Sequence, residues 1–168
     1  QEEALLAKLA RPVQEAPDPA ELIAAAERAK GTAAIQEVPR TIRVLMPDGT
    51  AVEMDFEEYL KGVVPQEMPP TWPMETLKAQ AVAARSYAAT TFKHAHEGAD
   101  VCTTTHCQVW KPTHYDTTDQ AVDETHGVSA KYNGSIITAF FHAHCDGHTR
   151  NVEDVWTTYL PYCRAVAC

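Results

Sequence analysis

The sequence predicts a single mixed domain of the α+β class, with a long central helix, β-hairpins and an N-terminal helical extension. Three observations lead to this prediction. Residues 1–39 are rich in Ala, Leu and Glu, residues 41–56 form two β-type runs around a turn, and residues 73–94 carry small apolar residues at helical spacing. We therefore divide the chain into an extension, residues 1–39, and a domain, residues 40–168.

The composition fits one globular domain and argues against nucleic acid as a partner. The chain has 168 residues, of which 45% are apolar, and this suffices for a core. Its 14 basic and 23 acidic residues give a formal net charge of −9, which a phosphate backbone would repel. No apolar run approaches the roughly 20 residues of a bilayer-spanning helix. The first ten residues carry acids where a signal peptide is basic, so we expect any exported form to be processed or trimmed.

The extension consists of two predicted helical stretches, residues 2–10 and 20–30, which end near Gly31. The prolines that separate them are Pro12, Pro17 and Pro19. Their apolar stripes are short, so we interpret this part as a spacer without chemistry of its own.

A β-hairpin and a short helix begin the domain. Residues 42–46 and 51–56 are predicted strands, and Pro47-Asp48-Gly49 is the turn between them. Residues 56–63 suit a helix that ends before Pro65, because proline constrains the backbone and lacks an amide hydrogen.

The next helix is predicted over residues 73–94. Pro73 suits its first turn, where a missing N–H costs nothing. Four residues recur at helical spacing and are expected to face the core: Leu77, Ala81, Ala84 and Ala88.

The second half of the chain is predicted to be less regular. Residues 98–117 read as an irregular segment, and residues 118–126 as a helix that Gly127 closes. A second hairpin pairs residues 128–132 with 136–141 around Asn133-Gly134. The polar, turn-forming run that follows spans residues 142–149.

Glu67 is the candidate proton donor. It stands between Val63-Val64-Pro65 and Met68-Pro69-Pro70, and apolar surroundings disfavour its charged form. The pKa of the carboxyl group is therefore expected to be raised, as a general acid requires at neutral pH. The alternative is a carboxylate at a helix end beside a flexible loop.

Lys78 and Arg85 are candidate ligands for a substrate carboxylate. They are seven residues apart, nearly two helical turns, so they point the same way at about 10 Å along the axis. Such a pair could bind a substrate carboxylate or polarise its oxygen atoms. The alternative is a solvated basic edge of the helix.

The cysteines and histidines leave two interpretations open. The five cysteines cannot all pair within one chain. Cys102, His106 and Cys107 place three zinc-type donors within six residues, but a disulfide between the two cysteines is the alternative. Cys163 and Cys168 are expected to form a disulfide or to be terminal thiols.

Five stretches of the chain resemble the stage II sporulation protein D family, which includes amidase-enhancer proteins of bacterial cell walls. They are EEYLKGVVPQEMPPTWPMETLKAQAVAARSYA, CTTTHCQVW, AVDETHGVSAKYNGSIITAFFHAHCDGHT, EDVW and LPYCRAV. The resemblance begins near Thr41 and continues to the end of the chain. Where the family often has a Ser- and Gly-rich loop, this chain has His144-Cys145-Asp146-Gly147-His148.

The resemblance implies a peptidoglycan lytic transglycosylase that cleaves between N-acetylmuramic acid and N-acetylglucosamine in glycan strands stripped of stem peptides. The family's catalytic glutamate matches Glu67, which would serve as general acid and then base and leave 1,6-anhydromuramyl ends. The important cations of the family match Lys78 and Arg85. One carboxyl group suffices because the substrate supplies its own nucleophile, although Asp146 and Asp154 remain candidates for a second.

Further site residues follow from this interpretation. Trp72, Gln108 and Trp110 are candidate sugar contacts, with packing roles as the alternative. Zinc, which some family members bind, would be held by Cys102, His106 and Cys107. His142 or Cys145 would be the fourth ligand.

Two other functions compete with the lytic transglycosylase. The first is a non-catalytic wall-binding module that enhances an N-acetylmuramoyl-L-alanine amidase. The second, a zinc hydrolase, is weaker because the chain has no HExxH motif. The expected partners are peptidoglycan strands and, for the enhancer, a cell-wall amidase. The expected location is outside the cytoplasm, secreted or anchored by a segment absent from this chain.

Overall fold

The structure, a computed structural model, describes residues 36–142, 145–156 and 158–167. Four α-helices and five strands lie within these residues, which confirms the predicted α+β class. The helical extension predicted for residues 1–39 falls almost entirely outside them, and it stays a prediction. None of the described helices is both long and apolar enough to cross a bilayer.

The predicted first hairpin is confirmed. Strands β1 (Thr41–Leu45) and β2 (Ala51–Asp55) pair antiparallel, with Leu45 opposite Ala51. Strand β1 buries Ile42 and Val44 on one face, as the alternation of side chains in a strand requires.

A third strand, β3 (Val101–Cys102), pairs parallel with β1 and completes a sheet of order β2-β1-β3. The sequence predicts an irregular segment here, because two residues are too few to show the alternation of buried and exposed side chains that is typical of a strand. The pairing places Cys102 opposite Leu45 and so anchors the start of the cysteine-rich segment on the sheet.

Helix α1 (Phe56–Glu67) follows β2 directly. The Asp55 carboxylate caps it by accepting hydrogen bonds from the amides of Glu57 (2.9 Å) and Glu58 (3.2 Å). The predicted end before Pro65 is wrong, because the helix continues through this proline to Glu67. A proline in the last turn removes only one internal hydrogen bond, and the fully buried Val63 and Val64 keep that turn against the core.

Helix α2 (Met74–Ala89) is preceded by Pro73, whose carbonyl accepts hydrogen bonds from the first turn. The predicted extension to His94 is wrong. The Thr90 hydroxyl donates to the Ser86 carbonyl (3.1 Å), and the Thr91 hydroxyl donates to the Tyr87 carbonyl (2.7 Å). These bonds satisfy carbonyls at the helix end, and the chain turns away after Ala89.

Helix α3 (Asp116–Glu124) confirms the helix predicted at residues 118–126, shifted by two residues. Gly127 follows it with a φ of +70°. The second predicted hairpin is also present, but its strands β4 (Lys131–Tyr132) and β5 (Ser135–Ile136) are short.

The strands of the second hairpin are short because side chains of α2 form hydrogen bonds with the backbone just before β4. The Val128 carbonyl accepts from Arg85 (3.0 Å), and the Ala130 amide donates to the Ser86 hydroxyl (2.8 Å). The turn itself agrees with the prediction, since Asn133 and Gly134 have φ of +49° and +81°. A last helix, α4 (Val152–Val155), lies near the end of the described chain.

The core lies where α1, α2 and α3 pack against one another and against the sheet. The small residues predicted to face the core of α2 are all buried, namely Leu77, Ala81, Ala84 and Ala88. Their size lets the neighbouring elements approach α2 closely. This packing fixes the end of α1, and therefore the position of Glu67.

Candidate active site and metal centre

A cavity of about 520 Å³ opens beside the end of α1. It is lined by residues of α1 and α2 and by four later segments. Glu67 comes from α1 and Tyr87 from α2, while residues 105–109 form a further wall. The aromatic residues of its remaining wall are Phe140, Phe141 and Trp156.

Glu67 has the environment that the sequence predicts. Its side chain is half-buried, and burial raises the pKa of its carboxyl group above the ordinary glutamate value. Among the described residues that line this cavity, Glu67 is the only carboxylate. Asp154 lines neither this cavity nor the second one, whereas Asp146 lines the second cavity and is paired there with Arg150 at 2.7 Å.

Gln108 lies in the wall of the same cavity. Its Oε1 accepts a hydrogen bond from the Tyr59 hydroxyl (3.2 Å), and its Nε2 donates to the Ala84 carbonyl (3.4 Å). These bonds to α1 and α2 hold the amide in one orientation. The structure therefore brings Gln108 and Glu67 together, and contact between Gln108 and a sugar stays a prediction.

The segment that carries Gln108 can approach α1 because residue 62 is glycine. A Cβ atom on buried Gly62 would lie 2.7 Å from the Lys111 carbonyl oxygen and would also collide with the indole of Trp110. Trp110 thus packs on α1 and does not line the cavity. Trp72 is exposed and also lies outside the lining.

Lys78 does not line the cavity either. Its Nζ atom lies 2.9 Å from a carboxylate oxygen of Glu75 and 2.7 Å from one of Glu124. Substrate binding by Lys78 stays a prediction, and it would require the ammonium group to leave both carboxylates.

Arg85 does not reach solvent. Its side chain is fully buried, and its guanidinium donates to both carboxylate oxygens of Glu57, from Nε at 3.0 Å and from Nη2 at 2.6 Å. The Nη1 atom donates to the Val128 carbonyl, and Glu57 also accepts from the Gly127 amide (3.1 Å). The predicted contact between Arg85 and a substrate carboxylate is therefore wrong, because a protein carboxylate already occupies the guanidinium.

One feature of the Lys78 and Arg85 prediction is correct. Both side chains extend from α2 toward the same neighbouring part of the chain, Lys78 to Glu124 and Arg85 to the Val122 carbonyl and to Val128. Seven-residue spacing did place them on one side of the helix. That side faces α3 and the segment that follows it.

A candidate metal centre forms one end of the cavity wall. The ligand atoms of His94, Cys102, His106 and Cys107 all lie within 4.8 Å of one another. The distance from His94 Nε2 to His106 Nδ1 is 3.1 Å, and from Cys102 Sγ to His106 Nδ1 it is 4.0 Å. Tetrahedral zinc separates its ligand atoms by about 3–4 Å, so two thiolates and two imidazoles in this arrangement fit zinc.

The surroundings orient His94 toward the cluster and favour the thiolate form of Cys102. Glu97 is hydrogen-bonded to Nδ1 of His94 and raises the pKa of the imidazole, and this contact leaves Nε2 for the cluster. Burial opposes ionisation of Cys102, but hydrogen bonds from Thr104 and His106 outweigh it and lower the pKa of the thiol to about 6. In the structure neither Cys102 nor Cys107 is in a disulfide.

The fourth member of the cluster was not the one expected from the sequence. The structure brings His94 to the other three residues, whereas His142 and Cys145 line a second cavity. The sequence did not identify His94 as a member of the cluster because it predicted that α2 continues to His94. In such a helix the His94 side chain would have pointed along α2. Its position eight residues before Cys102 was the available signal.

Lys93 is a cavity residue that sequence reasoning missed. Its Nζ donates to the Tyr87 hydroxyl (3.0 Å) and to the His106 carbonyl (2.6 Å), and the side chain lines the cavity with Glu67. Lys93 lies in the turn after α2, and the helix predicted over residues 73–94 wrongly included this turn.

The second cavity, of about 700 Å³, adjoins the first. Phe140, Phe141 and Trp156 line both. The Phe140 and Trp156 rings are 4.5 Å apart between centroids, and both are substantially exposed. The two cavities therefore adjoin at an aromatic wall, and we refer to them together as the groove.

Comparison with known proteins agrees with the resemblance. The chain is 47% identical over 117 residues to an uncharacterized protein of Brachyspira hyodysenteriae, covering 66% of this chain and 31% of that one. It is 44% identical over 104 residues to the protein named amidase enhancer of Bacillus subtilis, covering 61% of this chain and 14% of the relative. Identity to stage II sporulation protein D of Bacillus subtilis is 36% over 157 residues, covering 82% and 46%.

The chain thus spans less than half the length of each of these relatives. The family profile described as SpoIID, stage II sporulation protein, matches residues 49–132, which is half of the chain and includes Glu67 and the four residues of the metal cluster. The chain belongs to the SpoIID family of stage II sporulation proteins.

Proposed function

We propose that this protein is a peptidoglycan lytic transglycosylase acting on glycan strands that have lost their stem peptides. The observation that carries the proposal is Glu67, a half-buried carboxyl group with a raised pKa in a cavity where no other described residue offers a carboxylate. A hydrolase that positions water between two carboxyl groups needs a second acid. A lytic transglycosylase does not.

The reaction needs one group that first gives and then takes a proton. Glu67 protonates the oxygen that leaves C1 of N-acetylmuramic acid, and the resulting carboxylate accepts the proton of the muramyl O6 hydroxyl. The O6 atom bonds to C1 and closes a 1,6-anhydro ring, so no water is added. Burial of Glu67 favours its protonated starting form.

The shape of the groove supports a polymeric substrate. Two adjoining cavities that share Phe140 and Trp156 offer room along a strand, and exposed aromatic faces suit pyranose rings. Peptidoglycan lies outside the cytoplasmic membrane, so this function places the protein there, secreted or anchored. The names of its relatives connect this function with sporulation and with a cell-wall amidase.

We also propose that zinc is bound by His94, Cys102, His106 and Cys107. When bound, it would join the turn after α2 to the segment that leads to Gln108, which is a structural contribution to the cavity wall. No proton transfer in the reaction depends on it.

The test is the chemistry of the product. Denuded glycan strands incubated with the protein should gain 1,6-anhydromuramyl ends, detected by mass spectrometry. Glu67→Gln should slow their formation at least about 100-fold, because it removes the general acid and base. The matched control is Glu75→Gln, the same exchange at a side chain that is 85% exposed and outside the cavity. Products that carry only hydrated reducing ends would contradict the proposal.

A second candidate function is a non-catalytic wall-binding module that enhances an amidase. The observation that favours it is the 44% identity to the protein named amidase enhancer. In that case Glu67→Gln would increase amidase turnover on cell walls as much as the wild-type protein does, and neither would generate anhydromuramyl ends.

A further inference from the structure

We propose that Lys93 binds the free lactyl carboxylate of N-acetylmuramic acid in the cavity that contains Glu67. This inference rests on the proposed function and specifies how the site would recognise a denuded strand. The lactyl group of such a strand ends in a carboxylate, whereas a stem peptide converts this group to a neutral amide. N-acetylglucosamine has no anionic group at all.

The position of Lys93 is the first observation in support. It is exposed, and it is the only lysine or arginine among the described residues that line the first cavity. Its ammonium group has three hydrogens, of which two are directed to the Tyr87 hydroxyl and the His106 carbonyl. These two contacts hold the charge at one place in the cavity wall and leave one hydrogen for a ligand.

The charge balance around Lys93 is the second observation. The other well-placed lysines already have carboxylate partners: Lys61 pairs with Glu58 and Asp123, and Lys78 with Glu75 and Glu124. Within the described residues Lys93 has no carboxylate partner, since both of its acceptors are neutral oxygens. The acidic groups that act on it are the Tyr87 phenol and the thiols of Cys107 and Cys102, and a bound zinc would offset the negative charge of the two thiols.

An ammonium group without a carboxylate partner, in a cavity, attracts an anion. The neighbouring Tyr87 ring does not supply one, although the lysine nitrogen lies 5.7 Å from its centroid. Lys93 thereby takes the role that the sequence suggested for Lys78 and Arg85. Its competing role is positional, because the bond to the His106 carbonyl could simply hold the metal-binding segment.

Binding experiments on an inactive protein separate these roles. In a Glu67→Gln background, affinity is measured for denuded strands and for the same strands with their lactyl carboxylates amidated. Lys93→Met should weaken binding of the carboxylate strands about tenfold and leave binding of the amidated strands unchanged. Lys93→Arg should retain the preference. Lys111→Met, at an exposed lysine outside both cavities, should bind both strands as the parent does.

Zinc content of each variant is measured alongside the affinities. Equal weakening on both strands, or loss of zinc from Lys93→Met, would overturn the proposal in favour of the positional role. Unchanged binding of the carboxylate strands by Lys93→Met would also overturn it. Because binding is measured without cleavage, failure of the wild-type protein to make anhydromuramyl ends would refute the proposed function and not this charge recognition.

Discussion

Burial of the Glu67 carboxyl group should make both the stability and the proposed catalysis depend on pH. Burial raises the folded-state pKa above the unfolded-state value, so the folded chain holds this proton more tightly. Below the unfolded-state pKa the group is protonated in both states, and folding carries no penalty. As the pH rises through the folded-state pKa, the wild-type chain loses stability because it must bury a charge.

Glu67→Gln should therefore increase the free energy of unfolding at pH 7 but not near about pH 3, where the Glu67 carboxyl group is protonated in both the folded and the unfolded chain. Urea unfolding at a series of pH values measures this difference. The kcat/KM of the wild-type protein should fall as the pH rises through the same pKa, because the ionised carboxyl cannot donate. A Gln variant with the same gain at both pH values would contradict the burial effect.

This residue could be identified from the sequence because its environment is local. The valines and prolines within a few positions of Glu67 predict poor solvation, and burial does raise the pKa of the carboxyl group. Lys93 and His94 could not be identified in the same way. Their roles depend on the end of α2, which two threonine hydroxyls set five residues earlier than predicted.

At the level of elements, the ion pair between Arg85 and Glu57 connects α1, α2 and the segment after α3. Both partners are buried, and Gly127 and Val128 add hydrogen bonds from that segment. Removing one member of such a pair leaves the other charge buried without compensation.

Arg85→Met should lower the free energy of unfolding by about 3–5 kcal/mol. The double variant Glu57→Gln/Arg85→Met should recover part of this loss, because it leaves no buried charge. Lys78→Met removes only a partly exposed pair, which solvent screens, and should cost far less than Arg85→Met. Urea denaturation measures all three. A small effect at Arg85, equal to that at Lys78, would show that the guanidinium is not held as described.

The metal cluster connects the turn after α2 to β3 and the segment that follows it. His94 lies in that turn, Cys102 ends β3, and His106 and Cys107 lie in the following loop. We expect one zinc per chain by elemental analysis, and chelation should lower Tm by roughly 5–10 °C.

Single substitutions identify the fourth zinc ligand. His94→Ala and Cys102→Ser should lose the metal, whereas His142→Ala and Cys145→Ser should retain it, because the latter two side chains line the second cavity. Retention of zinc by His94→Ala, together with its loss from Cys145→Ser, would restore the ligand set expected from the sequence.

At the level of the whole molecule, the groove is longer than the cavity that contains Glu67. Cavities of about 520 and 700 Å³ share an aromatic wall, and Glu67 lines only the first. A strand that occupies both should bind more tightly than a fragment that fills one. We therefore expect kcat/KM to rise about tenfold from two disaccharides to longer strands and then to level off. Turnover of purified strands of graded length measures this, and equal values at all lengths would exclude a contribution from the second cavity.

The sequence by itself determined the α+β class, both hairpin turns, the position of α1 and the raised pKa of Glu67. It also named three of the four residues that the structure brings together as a candidate metal centre, and metal binding there stays a prediction. All of these depend on residues that are close in the chain, where period, turn chemistry and local polarity act directly.

Only the tertiary structure decided which polar side chains, distant in the sequence, contact one another. Arg85 finds Glu57 28 positions away, Lys93 and His94 meet His106 across 13 and 12 positions, and Tyr59 orients Gln108 across 49. Such contacts arise where helices and strands cross, and no local pattern relates the residues that they bring together. Arg85, which was predicted to bind substrate, is therefore buried in the core. Lys93, which was not among the predicted site residues, lines the cavity.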